Sequence, residues 1–157
     1  MSQHPVPQFL LTLVVGLWLG GLTFYAGIVV PIGTEIVGGT EQGFVTQRVT
    51  NWLNALGVVA LLGLGINVWF RERNWAIVVT CLLAALLQLS LLALHPLLDV
   101  QLDLTTRTIG DTGWFYECHR AYLIVTAALW LAGLSLVWLT LRGGQPIARI
   151  APLEEIQ

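Results

Sequence analysis

The distribution of charge along this chain leaves few folds open to it. Four stretches, Phe9 to Val30, Trp52 to Phe70, Trp75 to Leu94 and Ala121 to Leu141, contain no Asp, Glu, Lys or Arg. They are 22, 19, 20 and 21 residues long, and about 20 apolar residues in a helix cross a hydrocarbon core roughly 30 Å thick. A charge at the centre of such a helix costs on the order of 2.5–3.5 kcal/mol on insertion scales. That cost accounts for the exclusion of all nine acidic and all seven basic residues from these stretches. A soluble helix has one apolar stripe and one polar face, whereas these are apolar all round. Only 10% of the residues are charged, where soluble domains run near a quarter. The expected fold is therefore all-α: a polytopic membrane protein built as a four-transmembrane-helix bundle, with lipid as its solvent.

The same pattern predicts the organisation. Residues 1–142 form the transmembrane domain, and 143–157, with Gly143-Gly144, Pro146, Pro152, Glu154 and Glu155, form a short cytoplasmic tail. The opening Met-Ser-Gln-His-Pro has no basic region of the kind a secretory signal carries, so Phe9 to Val30 reads as a retained first helix. Every basic residue is an arginine. Arg71, Arg73, Arg142 and Arg149 fall on one side of the four spans and Arg48, Arg107 and Arg120 on the other. The positive-inside rule then puts both termini in the cytoplasm of a bacterial inner membrane. Trp52, Trp69, Trp75, Trp114 and Trp138 stand near the expected interfaces, while Trp18 and Trp130 lie deeper and read as packing residues. On the outer side the helices are expected to outrun the bilayer. The first continues past Pro31 to Gly38-Gly39, Thr40 caps the second near Glu41, and the third passes Pro96 and reaches Asp103. Thr105 to Gly113 is a polar turn, and the fourth helix begins around Trp114.

Function classes can be trimmed by composition and motif. A net charge of −2 gives no basic face for nucleic acid. Cys81 lies inside an apolar run and Cys118 outside one, so no disulfide between them is expected. There is no phosphate-binding glycine loop, no GxSxG elbow and no HExxH helix. No catalytic residue is assigned, and the chain reads as non-enzymatic. Gly16, Gly20, Thr23 and Gly27 recur at helical spacing on the first helix. Such a stripe lets backbones approach closely in lipid. It suits packing inside the bundle, or against a second copy or another membrane protein.

The polar residues gather on the outer half. Gln88, His95, Asp99 and Asp103 are spaced by seven, four and four, which places them on one helix face. Tyr116, Glu117, His119 and Arg120 open the fourth helix, Tyr122 and Thr126 continue its polar side, and Gln47, Arg48, Asn51 and Asn54 come from the second. Three readings stay open. The cluster is a network that fixes helix register, with Asp99 or Asp103 paired to Arg48, Arg107 or Arg120. Alternatively, His95, Asp99, Asp103 and His119 ligate a transition metal, or the two histidines clamp a haem iron. The third is a small transporter or proton path through Gln88, His95 and Arg48.

Trp18 to Phe24 (Trp-Leu-Gly-Gly-Leu-Thr-Phe), followed by Pro31, resembles the first helix of several small bacterial membrane families. One is a domain of unknown function related to the eukaryotic transmembrane protein linked to cisplatin resistance; another is the copper-resistance D family. Phe115 to His119 (Phe-Tyr-Glu-Cys-His) resembles the start of a late helix in the first. Leu123 to Thr126 stand where that family's asparagine is expected, and only His4 precedes Trp18, unlike the histidine-rich first helices of the copper family. The resemblance implies a four-helix bundle and carries over no function. The chain is accordingly expected to be a scaffold or accessory component of the membrane.

Overall fold

A computed structural model describes residues 5–70, 74–103 and 105–143. The connection that holds Arg71 and Arg73, and the tail with Arg149, lie outside the described residues. Helix α1 (Pro5–Phe24), a single π-helical turn (Tyr25–Val29) and α2 (Val30–Val37) make the first rod. Helices α3 (Gly39–Phe70), α4 (Trp75–Asp99) and α5 (Thr112–Gly143) make the other three. The fold is an all-α four-helix bundle, and each rod is long and apolar enough to cross a membrane. Going round the bundle, α1 packs on α3, α3 on α4, α4 on α5, and α5 meets α1 again.

The centre of the bundle is set by Trp18, which is 1% exposed. Two glycines make room for it. A Cβ on Gly57 would lie 2.7 Å from Trp18 Nε1, and one on Gly133 would lie 2.7 Å from Leu19 Cδ2 and 3.4 Å from Trp18 Cζ3. Ala60, Ala84, Leu91, Leu129 and Leu136 are buried with it in the core. Within the bundle the stripe of Gly16, Gly20, Thr23 and Gly27 is not a packing seam. All four are exposed, and a Cβ on any of the three glycines would meet nothing within 4 Å. The inward face of α1 is instead Val15, Trp18 and Leu19, because large side chains bury more apolar area than glycine can. Thr23 alone reaches a neighbour, accepting a hydrogen bond from Trp130 Nε1 at 2.9 Å.

Proline and glycine shape the first rod. Pro31 has no N–H, and its ring would crowd the carbonyl one turn back in a regular α-helix. The turn before it is widened, with Val30 N–H bonded to Tyr25 O. Gly38, at φ 90°, ends α2 in a conformation that favours glycine. Gln42 N–H bonds back to Gly38 O at 3.0 Å, so α3 begins at Gly39 rather than after a Thr40 cap.

The third expected span also ends earlier than its spacing suggests. Helix α4, capped by Asn74, stops at Asp99 rather than Asp103. The chain then forms a two-stranded antiparallel ribbon, β1 (Leu102–Asp103) and β2 (Thr108–Ile109), where only a polar turn was expected. Asp103 Oδ1 accepts from Thr105 N–H at 2.7 Å and Thr106 N–H at 3.2 Å. These bonds, the Thr105 N–H first, hold its carboxyl below the ordinary carboxylate range. Asp111 Oδ1 accepts from Trp114 N–H, an N-cap that starts α5 at Thr112.

Candidate functional site: a cavity at the ribbon end of the bundle

Above the Thr23–Trp130 bond the first rod leans on α3, and α2 makes no extensive packing with α5. The space left between them is a cavity of about 310 Å³. Among its exposed lining residues, Ala26 and Thr34 on one side and Leu123 on the other place a mouth between the first rod and α5. Leu22, Val30, Leu53, Leu98 and Phe115 give it a mostly apolar wall. A smaller space of about 20 Å³ lies beneath it, sharing Leu22, Thr50, Leu53, Tyr122 and Thr126.

The polar side of the cavity is built on α3 and α4. One helical turn separates His95 from Asp99, and His95 Nδ1 lies 3.0 Å from Asp99 Oδ2. The other carboxylate oxygen, Oδ1, accepts from Gln47 Nε2 at 2.9 Å. His95 Nε2 meets Thr50 Oγ1 at 3.1 Å. With Asp99 ionised, Nδ1 carries the proton, since a bare lone pair would face a carboxylate. Thr50 then either accepts from Nε2–H or donates to a bare Nε2. The Gln47 amide is oriented by the same reasoning: its NH₂ must face the carboxylate. That leaves Gln47 Oε1 buried without a partner.

A second group comes from the π-turn. Tyr25 is buried, its hydroxyl donates to Thr46 Oγ1 at 3.0 Å, and it accepts from Gln42 Nε2 at 3.3 Å. Gln42 can sit there because Gly33 on α2 has no Cβ; any other residue would run into Gln42 Oε1. Below the cavity, Asn54 Nδ2 donates to Tyr122 OH at 2.9 Å, and Gln88 Nε2 faces Asn54 Oδ1 at 3.4 Å. The polar ladder ends there. The next residues inward are Ala84, Ala60, Leu61 and Leu64, with no ionisable side chain among them.

The expected cluster therefore divides. Gln47, His95 and Asp99 meet at the cavity, His119 lines its far side, and Asn54 and Gln88 lie beneath. Arg48, Asn51, Tyr116, Glu117 and Arg120 are exposed. Glu117 pairs with Arg120 at 3.6 Å, and Arg107 pairs with Glu41 at 3.0 Å. None of these arginines pairs with Asp99 or Asp103 as the network reading had it.

The four-residue metal set is not assembled: Asp103 is spent on the ribbon turn, and among the described residues no three His, Cys, Asp or Glu side chains gather to hold a metal. Both histidines face one cavity, but both ring nitrogens of His95 are already engaged, so iron would have to displace Asp99 or Thr50. His119 stacks on Phe115, with the rings 6° from parallel.

Tyr25, Gln42, Thr46 and Thr50 belong to the site and escaped the sequence reading. For the last three, all on α3, the signal was the four-residue spacing that they share with Asn54.

The fold and the cavity define the class: a four-helix bundle, of membrane-crossing dimensions, with a lateral pocket that has one polar wall. Compared with known family models, curated proteins and solved structures, the chain matches none.

Proposed function

We propose that this protein is a membrane-embedded binding protein for a small, mostly apolar molecule, held in the cavity between the first rod and α5. The observation that carries the reading is the cavity itself. Its volume of about 310 Å³ falls in the range of small-ligand sites, which are largely apolar with a few convergent polar groups. Water is a poor occupant of so apolar a space. Such a role is non-enzymatic and accessory to some membrane process. The transport reading is less favoured, because the polar ladder stops at Gln88.

The bundle lies in a bilayer, with the ribbon end outermost and both termini cytoplasmic. Two features support this. Large apolar side chains such as Leu62, Leu82, Leu86, Ile124 and Leu131 are more than half exposed around the girth, and the arginine count favours the end away from the ribbon. A bacterial inner membrane suits an all-helical chain of this kind.

The test is photo-crosslinking in phosphatidylcholine vesicles with a diazirine-bearing alkyl alcohol, adducts being mapped by mass spectrometry. Label is expected on Leu22, Leu98 and Phe115. It should vanish in Gly43→Phe, since Gly43 lines the cavity and a Cβ there meets nothing within 4 Å. Uniform labelling of the lipid-facing surface, with none at those residues, would end the proposal.

A further inference from the structure

The hydrogen-bond donors of the protein around Asp99 are already committed. The Gln47 amide and His95 Nδ1–H go to Asp99 and the Thr50 O–H to the Thr46 carbonyl, while farther round the wall Tyr25 O–H goes to Thr46, Thr46 O–H to the Gln42 carbonyl and the Gln42 amide to Tyr25. Acceptors are in surplus. A carboxylate offers about four lone-pair sites, and Asp99 uses one on each oxygen while its side chain stays 33% exposed. Gln47 Oε1, beside it, has none of its lone pairs used. Among the described residues no arginine lines the cavity, and the chain has no lysine.

A wall of this composition discriminates by charge and by hydrogen-bond direction. An anionic head brings its charge against Asp99 with no cation to receive it. An ether or ester head offers only acceptors, which Asp99 and Gln47 Oε1 cannot use. A hydroxyl head donates to Asp99. His119 on the opposite wall has no hydrogen bond to the described residues, and an imidazole can give to or take from the same hydroxyl.

We infer that the ligand is a lipid-soluble alcohol or phenol, entering from the membrane between the first rod and α5 and donating its hydroxyl proton to Asp99. This rests on the cavity being a ligand site.

Three diazirine probes with the same alkyl chain separate the two claims: an alcohol, its methyl ether and the corresponding carboxylic acid, each in phosphatidylcholine vesicles. The alcohol is expected to label Leu98 and Phe115 about tenfold more than the ether, the scale of one hydrogen bond to a charged acceptor. Asp99→Asn should shrink that ratio, because an amide accepts less strongly than a carboxylate and can itself donate to the ether, while both probes still label the cavity. That comparison keeps a folding defect distinct, because a collapsed cavity loses both probes. Equal labelling by alcohol and ether, or preference for the acid, overturns the assignment of the head group while the cavity remains a site. No cavity labelling by any probe overturns the binding reading itself.

Discussion

His95 and Asp99, one turn apart on α4, face each other through Nδ1 and Oδ2 at 3.0 Å, and each is also held by α3, through Thr50 and Gln47. The dyad thus ties two helices at the point where the bundle opens. Asp99→Asn keeps the side-chain size but replaces a charged acceptor with an amide: Oδ1 can still accept from Gln47, and His95 must move its proton to Nε2 so that Nδ1 accepts from the amide NH₂. Both bonds lose the strength that the charge gave them. A hydrogen bond to a charged group contributes about 1.5–3 kcal/mol when shielded. Asp99 is a third exposed, so a loss of about 1 kcal/mol is expected after screening. Thermal unfolding in detergent should show a lower Tm, and the ¹⁵N signals of His95 should move. An unchanged spectrum would mean that the dyad does not form.

The glycines divide into those that pack and those that face outward, and substitution should separate them. In Gly57→Ala the new methyl meets Gln88 Oε1 at 2.6 Å and the rigid indole of Trp18 at 2.7 Å. Overpacking of this kind costs about 1–3 kcal/mol. Gly16→Ala and Gly20→Ala meet nothing within 4 Å, and alanine is the better helix former by up to about 1 kcal/mol. Tm should fall in the first variant and hold or rise in the other two. Instability at Gly16 or Gly20 would instead point to a partner on that face.

The contrast also explains what could be read from the chain before its fold was known. Four uncharged runs predict four rods, because the cost of burying charge in lipid acts on every residue regardless of its neighbours. The inward side of α1 could not be predicted in this way. In a helix that is apolar all round, periodicity carries little information, and the small-residue stripe was as plausible a seam as Trp18 with Leu19. Asp103 was placed on the face of His95 by its spacing, which assumed that the helix continued. The Asp103 carboxylate instead closes a turn with Thr105 and Thr106. Such local competition between side chain and backbone ends helices without an apolar signal. Within the site, His95, Asp99 and Gln47 were recognisable as polar residues in a scarce-water region. Their partner Thr50 was not, since threonine is common on membrane helices with its hydroxyl bonded one turn back, as Thr50 also does.

The ribbon turn should respond to acid. The Asp103 carboxyl is held below its usual range, the Thr105 N–H contributing most, so the fold favours its ionised form. Its contribution is complete above the carboxylate's unfolded range and is lost as pH falls through the lower, folded value. Proton exchange at the Thr105 and Thr106 amides should therefore quicken, beyond its intrinsic pH trend, only below the ordinary carboxylate range. Asp103→Asn should remove that step. A step at higher pH would assign the turn to some other group.

Tyr122 and Asn54 form a cross-bundle bond of the polar ladder, joining α5 to α3 at 2.9 Å with each residue 7% exposed. Tyr122→Phe removes the acceptor and leaves Asn54 Nδ2 buried without its partner. That penalty is about 1–3 kcal/mol, larger than the net value of the bond. Asn54→Leu removes the donor, but also the side-chain oxygen that Gln88 Nε2 faces at 3.4 Å, so it should cost at least as much. The double variant is expected to be less destabilised than the two singles summed, because replacing both partners of a buried bond with apolar groups leaves neither one orphaned. A double-mutant cycle on unfolding in a mild detergent measures the difference. Strict additivity would mean that the two side chains do not meet and that the ladder beneath the cavity is not a connected network.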